Sequence, residues 1–239
     1  MKSRLLDLFY PPVCELCRTG LSNGNSICLP CADKLPRVRE PFCQICGEGF
    51  DGNLPEDFTC PNCHGVKLDF DFARAPLQGL EAAFELVHSL KYHRRFYIAK
   101  DLAKFLNEAF LEDPRFRKYE ENSFVIPVPL HWRRQQWRQG NQAHELAREF
   151  CKISSLPISC AIKRTRSTET QTKLNRHQRL TNLKGAFTVK KAWRDKLKGA
   201  NVILIDDVFT TGATSLACTR ILKKEGQAAN VAILSLVRG

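Results

Sequence analysis

Asn201-Val-Ile-Leu-Ile-Asp206-Asp207-Val-Phe-Thr210-Thr211-Gly212-Ala213-Thr214 decides the reading of this 239-residue chain. The run up to Ile205 is short, apolar and rich in β-branched side chains, as in a strand buried on both faces, and it ends on adjacent carboxylates. Beyond the turn, Leu216, Ile221 and Leu222 recur at helical spacing and Gly226 supplies a stop, so the Thr-rich segment joins a strand end to a helix start. Such a junction binds anions. Gly212 lets the backbone approach closely, the first-turn amides and Ala213 lie at the helix entry, and the hydroxyls of Thr210, Thr211 and Thr214 suit a phosphomonoester. Asp206 and Asp207 would repel that phosphate, so their natural partners are neutral hydroxyls or a bridging magnesium ion, as on a ribose ring. The pattern Gly-x-x-x-x-Gly-Lys-Ser/Thr is absent, which disfavours ATP hydrolysis.

Working outward, helical patterns at 79–91 and 97–110 alternate with strand patterns at 123–128, 186–189, 202–206 and 229–237. That alternation predicts an α/β fold: an open, mainly parallel sheet with helices on both faces and ligands at the carboxyl ends of the strands. Segments 127–134, 164–185 and 206–214 are then expected to share one crevice.

Eight of the eleven cysteines form four Cys-x-x-Cys pairs: Cys14 and Cys17, Cys28 and Cys31, Cys43 and Cys46, Cys60 and Cys63. Each pair can present both sulfurs to one metal, and two pairs complete a tetrahedral, closed, structural zinc site. Sequential pairing gives two ribbons; an interleaved arrangement uses the same spacings and stays open. His64 reads as a bystander, and Cys151, Cys160 and Cys218 as small buried hydrophobes. About sixty Pro-rich residues can hardly bury a core unaided, so metal is expected to supply much of the folding free energy of a module spanning 1–68, with the α/β domain at 69–239. No apolar run reaches about 18 residues and the first ten residues make a poor signal peptide, so a cytoplasmic protein without membrane insertion is expected, where disulfides are disfavoured.

The formal charge is +12; eight zinc-held thiolates would lower it to about +8. Residues 131–184 hold twelve Lys or Arg against three acids. Phosphate-rich ligands or nucleic acid are the partners this strip suits.

The segment 202–214 closely resembles the signature of type I phosphoribosyltransferases, in which adjacent acids bind ribose hydroxyls and a Thr-Thr-Gly-x-Thr turn grips the 5-phosphate. Further matches narrow the likeness to the ComF family of competence-related proteins, which join a double zinc ribbon to a type I phosphoribosyltransferase-like, doubly wound domain. Pro127-Val128-Pro129-Leu-His131-Trp132-Arg133-Arg134 resembles the family's pyrophosphate loop. Arg164-Thr-Arg166, through Arg176 to Phe187, resembles its mobile loop, and Leu90-Lys91-Tyr92 a helix-ending stretch. The resemblance implies binding of 5-phosphoribosyl-1-pyrophosphate with magnesium and a role in DNA uptake. On that reading Arg133 and Arg134 face the diphosphate beside Val128 and Pro129, and Arg166, Lys173 or Arg176 reaches it from the mobile loop. The chain departs from the family's usual Arg-Gly-aromatic-Asn-Gln at Arg138-Gln139-Gly140-Asn141-Gln142. Thr210 also stands where transferases of 6-oxopurines carry an acid, which disfavours that chemistry. Two readings follow: a phosphoribosyltransferase with an unidentified acceptor, or a donor-sensing module that holds single-stranded DNA, with Tyr92, Trp132 and Trp137 available for stacking.

Overall fold

A computed structural model describes residues 12–21, 24–66, 68–92, 95–166, 183 and 185–239, with the side chains of Arg133 and Arg134 outside that description. Lys173 and Arg176 also lie outside it. After a short helix α1 (Leu29–Asp33), the chain runs β1 (Phe72–Arg74), β2 (Leu77–Gln78), α2 (Glu81–Tyr92), α3 (Ala99–Glu112) and β3 (Ser123–Pro127). It continues through α4 (Trp132–Arg138), α5 (Gln142–Ser154), β4 (Ile162–Arg164), β5 (Phe187–Val189), α6 (Arg194–Leu197), β6 (Asn201–Phe209), α7 (Ala213–Glu225) and β7 (Asn230–Arg238). The main sheet has the order β1-β7-β6-β3, with β2 continuing along β7, and every pairing in it is parallel.

β6 lies between β3 and β7, and its alternation divides the molecule into two cores. Ile203 and Ile205 face Leu86 and Leu90 of α2, Leu102 and Leu106 of α3, and Leu146 and Phe150 of α5. Val202 and Leu204 face the opposite layer, where Leu216 and Leu222 of α7 pack with Phe187 and Val189. All four β6 side chains are fully buried, each contributing about 2 kcal/mol of transfer free energy. The expected doubly wound arrangement is therefore what forms. One strand differs: β5 pairs antiparallel with β4 in a separate two-stranded sheet.

The cysteine module is built into both cores. Cys14, Ile27 and Leu35 belong to the α2–α3 layer, whereas Cys43, Cys46, Cys60 and Cys63 belong to the α7 layer. The segment from Pro36 into the second set runs along the sheet edge: Val38 N–H donates to Pro76 O at 2.9 Å, Gln78 N–H to Pro36 O at 2.8 Å, and Ala73 N–H to Ile45 O at 2.7 Å. An otherwise open edge is thus covered. Gly47 makes this approach possible, since a Cβ there would lie 2.6 Å from the Ala73 carbonyl oxygen, at a φ of +68°.

Buried carboxylates tie the first knuckle to α3 and to the residues just before it. Asp101 accepts from the Ser26 amide at 2.6 Å and the Ser26 hydroxyl at 2.7 Å, and pairs with Lys104 at 2.7 Å. Glu15, nearly inaccessible, accepts from Arg95 and Tyr97. Burial alone would raise the Asp101 carboxyl, but Lys104 and the two Ser26 bonds outweigh it and hold it below the ordinary carboxylate range. A lowered folded-state pKa stabilises above the unfolded value and is lost as pH falls through the folded one. Asp101→Ala is therefore expected to cost about 2 kcal/mol at pH 7, with the difference in thermal midpoint from wild type shrinking below about pH 4. A difference constant across that range would show that the charge of Asp101 is not what moors the knuckle.

Candidate functional site

The end of β6 opens into a cavity of about 450 Å³ whose lining includes Asp206, Asp207, Thr210 and Thr214 on one wall and Val128, Pro129 and Leu130 on another. Lys91 and Tyr92 at the end of α2, Arg138, Asn141 and Arg164 complete it. The three segments expected to converge do so, as far as the described residues extend.

The turn after β6 depends on Gly212. Its φ is +70°, and a Cβ would come 2.6 Å from the Phe209 ring, so a side chain there meets both strain and collision. The left-handed step starts α7 at Ala213, and Thr210 and Thr214 line the same cavity as the carboxylates. Thr211 lines a second, smaller cavity behind the turn, and Gly212 and Ala213 are buried. Of the turn's three hydroxyl residues, two therefore reach the main crevice.

The paired acids are not equivalent. Burial first, and then the charge of Asp207, push the Asp206 carboxyl up to about 7; its Oδ1 accepts from the Asp207 amide at 2.9 Å. Asp207 pairs with Lys91 Nζ at 3.0 Å. Adjacent carboxylates at a buried strand end repel, and this division shifts one of them towards the neutral form while the other faces a cation. Lys91 sits in the helix-ending stretch singled out in the sequence, but its partner was not legible there, because only the sheet topology brings the end of α2 to the end of β6.

Asn141 positions the opposite wall. Its Oδ1 accepts from the Ala143 amide at 3.2 Å and caps α5, while Nδ2 donates to the Val128 carbonyl at 2.9 Å. The departure at 138–142 is accommodated by a positive φ at Gln139 and by Gly140, where a Cβ would meet Phe96 at 2.6 Å. Arg133 and Arg134 fall on α4, directly after the Val128–Pro129 wall. Arg166 is exposed just beyond β4 and does not line the cavity, whereas Arg164 does.

One expectation about a single residue is corrected. Cys160 is exposed rather than buried; a hydrogen bond with His144 lowers its thiol and raises the imidazole. Trp132 and Trp137, named above as available for stacking, are 55% and 66% exposed. Trp137 packs edge-on against Tyr92 at 5.8 Å between centroids, and Arg138 lies 5.2 Å over the Tyr92 ring.

The cysteines settle the pairing left open by their spacing: Cys14, Cys17, Cys28 and Cys31 form one cluster and Cys43, Cys46, Cys60 and Cys63 the other, each with its sulfurs within 4.8 Å of one another. Both clusters fit four-thiolate zinc. In each, an amide points at a sulfur, Cys28 N–H to Cys14 Sγ at 3.4 Å and Cys60 N–H to Cys43 Sγ at 3.3 Å, a contact that favours the thiolate. His64 belongs to neither cluster.

Residues 5–64 match the family model described as a double zinc ribbon domain. The DNA utilization protein YhgH of Escherichia coli is 30% identical over 229 residues, covering 93% of this chain and 95% of that protein. Competence protein F of Haemophilus influenzae is 30% identical, covering 91% of this chain and 93% of its own length. Among solved structures, a hypoxanthine phosphoribosyltransferase from Staphylococcus aureus aligns over 59% of this chain and 64% of that chain, at 14% identity and a TM-score of 0.33.

Asp206 offers a test of the electrostatics. A carboxyl raised in the folded state stabilises below its unfolded value, near pH 4, and that contribution is lost as pH rises through about 7. Asp206→Asn removes the dependence, so its thermal midpoint is expected to gain on wild type between pH 5 and pH 8. Parallel midpoints over that interval would mean that Asp206 ionises freely.

Proposed function

This chain belongs to the ComF family of competence proteins, and from that premise we propose that it binds 5-phosphoribosyl-1-pyrophosphate with magnesium in the crevice at the end of β6 and takes part in DNA uptake. The observation that carries this reading is the meeting of Asp206 and Asp207 with Thr210 and Thr214 in one cavity, opposite Val128 and Pro129. The carboxylates accept the two ribose hydroxyls, and the Thr hydroxyls with the start of α7 hold the 5-phosphate. The backbone at Val128 and Pro129, with Arg133 and Arg134 on the following helix, meets the pyrophosphate. Arg166, Lys173 and Arg176 are assigned to the segment that closes over it. Magnesium, bound with the donor, would neutralise charge growing on the departing pyrophosphate. In this reading residues 1–68 form the double zinc ribbon, 69–239 the donor-binding domain, and the protein works in the cytoplasm; among the described residues no helix is long and apolar enough to cross a membrane.

A donor-sensing module that holds single-stranded DNA is the second reading. It is favoured by the exposed Trp132 and Trp137 and by the Tyr92–Arg138 contact at the rim of the crevice. Aromatic faces beside cations suit unpaired bases and their phosphates.

Calorimetry with the donor and magnesium tests the common core of both readings. Asp207→Asn is expected to weaken binding about tenfold or more, the loss of one charge-assisted hydrogen bond, with the thermal midpoint little changed. Equal affinity in the variant removes the ribose-clasp assignment. Labelled donor incubated with a nucleobase panel or a single-stranded oligonucleotide separates the readings, since pyrophosphate release marks a transferase and tight binding without release marks a sensor.

A further inference from the structure

Behind the phosphate turn, the second cavity, about 250 Å³, has Cys46, Glu48 and Cys63 on one side and Phe209, Thr210 and Thr211 on the other. Arg238, at the end of β7, spans it. One guanidinium nitrogen donates to the carbonyls of Phe209 at 3.1 Å and Thr210 at 3.2 Å. The other reaches Glu48 Oε2 at 3.0 Å and Cys46 Sγ at 3.7 Å. The side chain is nine-tenths buried, and its Cζ lies 5.5 Å over the ring of Phe209. That is the ring against which Gly212 is packed. A single planar fork thus joins a ligand of the second four-cysteine cluster to the residues from which the turn departs.

We propose that Arg238 is a positioning residue that couples the second zinc site to the phosphate turn, so that zinc and the phosphorylated donor strengthen each other's binding. The proposal rests on the donor-binding reading above and adds to it a route of communication. The guanidinium is rigid, and its two arms are fixed relative to one another. With zinc bound, Cys46 is held in place, and Arg238 transmits that fixed position to the carbonyls of Phe209 and Thr210. Without zinc the four sulfurs are no longer held together, one anchor of the fork is lost, and the turn must be ordered at the expense of donor affinity. Coupling of two binding events is reciprocal, so the donor must in turn tighten the binding of this zinc, a gain expected in its rate of loss, where most affinity differences between closely related complexes fall. The first cluster, packed in the opposite core, is outside the route and serves as the internal control.

The test uses the full-length protein loaded with two zinc ions and a chromogenic chelator, with and without saturating 5-phosphoribosyl-1-pyrophosphate in excess magnesium. Zinc release from wild type is expected in two phases, and the donor should slow one of them about fivefold or more. Cys43→Ser, which lacks the second site, identifies that phase by its disappearance. In Arg238→Lys the donor effect should vanish while zinc content stays at two and calorimetry still detects donor binding, weaker than in wild type. Should Arg238→Lys fail to fold, Glu48→Gln removes one anchor of the fork and is expected to reduce the effect. If wild type binds the donor and neither phase slows, or both slow equally, the coupling is wrong and the donor reading stands. Retention of the full effect in Arg238→Lys overturns the role of the side chain. Absence of any donor binding by wild type overturns both.

Discussion

Burial of β6 on both faces is the constraint from which the rest of the molecule follows. Four consecutive apolar residues, Val202 to Ile205, are shared between two layers, and a slip of one residue would exchange their faces and break both cores. The register therefore has one solution, and it places Asp206 and Asp207 where the strand leaves the apolar layers. Two carboxylates in that position repel one another and lose hydration. The structure answers by dividing them: Asp206 shifts towards the neutral form, and Asp207 takes Lys91 as its counter-ion.

The cysteine clusters depend on the same sheet. Each lends its sulfurs to a different core, and the chain between them covers the edge formed by β1 and β2. Neither cluster behaves as a bead on a linker. The first is moored to α3 through Asp101 and to the residues just before it through Glu15; the second abuts the turn after β6 through Arg238. Closed four-thiolate sites have no position for substrate, so their contribution is to shape: they seal an edge and fix the back of the turn.

Most of this was legible in the residues. The β-branched run ending in Asp206-Asp207 and the Thr-Thr-Gly-Ala-Thr turn specify their own local structure, because a buried strand and a left-handed glycine leave few alternatives. The Cys-x-x-Cys pairs do the same for the knuckles, although the choice between sequential and interleaved pairing needed three-dimensional proximity. What stayed hidden are contacts between segments far apart in the chain. Lys91 meets Asp207 across 116 residues, and Arg238 meets Glu48 across 190; no local pattern marks either. The strand at 187–189 carries an ordinary strand pattern, yet periodicity cannot say which sheet it joins. Cys160 looked apolar by its neighbours Ile158 and Ala161, but it sits at the surface beside His144. Asn141 was visible as a residue and not as a role, since capping α5 and holding the Val128 carbonyl require both ends of its amide to be placed at once.

The claim on which the account turns is that a phosphorylated pentose is clasped between the acids and the turn at the end of β6. A crystal structure of the chain grown with 5-phosphoribosyl-1-pyrophosphate and magnesium measures it directly. The account predicts the 5-phosphate against Thr210 and Thr214, both ribose hydroxyls at Asp206 and Asp207, and Lys91 displaced from its partner. Donor density anywhere else, or a Lys91–Asp207 pair left intact beneath a bound donor, would contradict it.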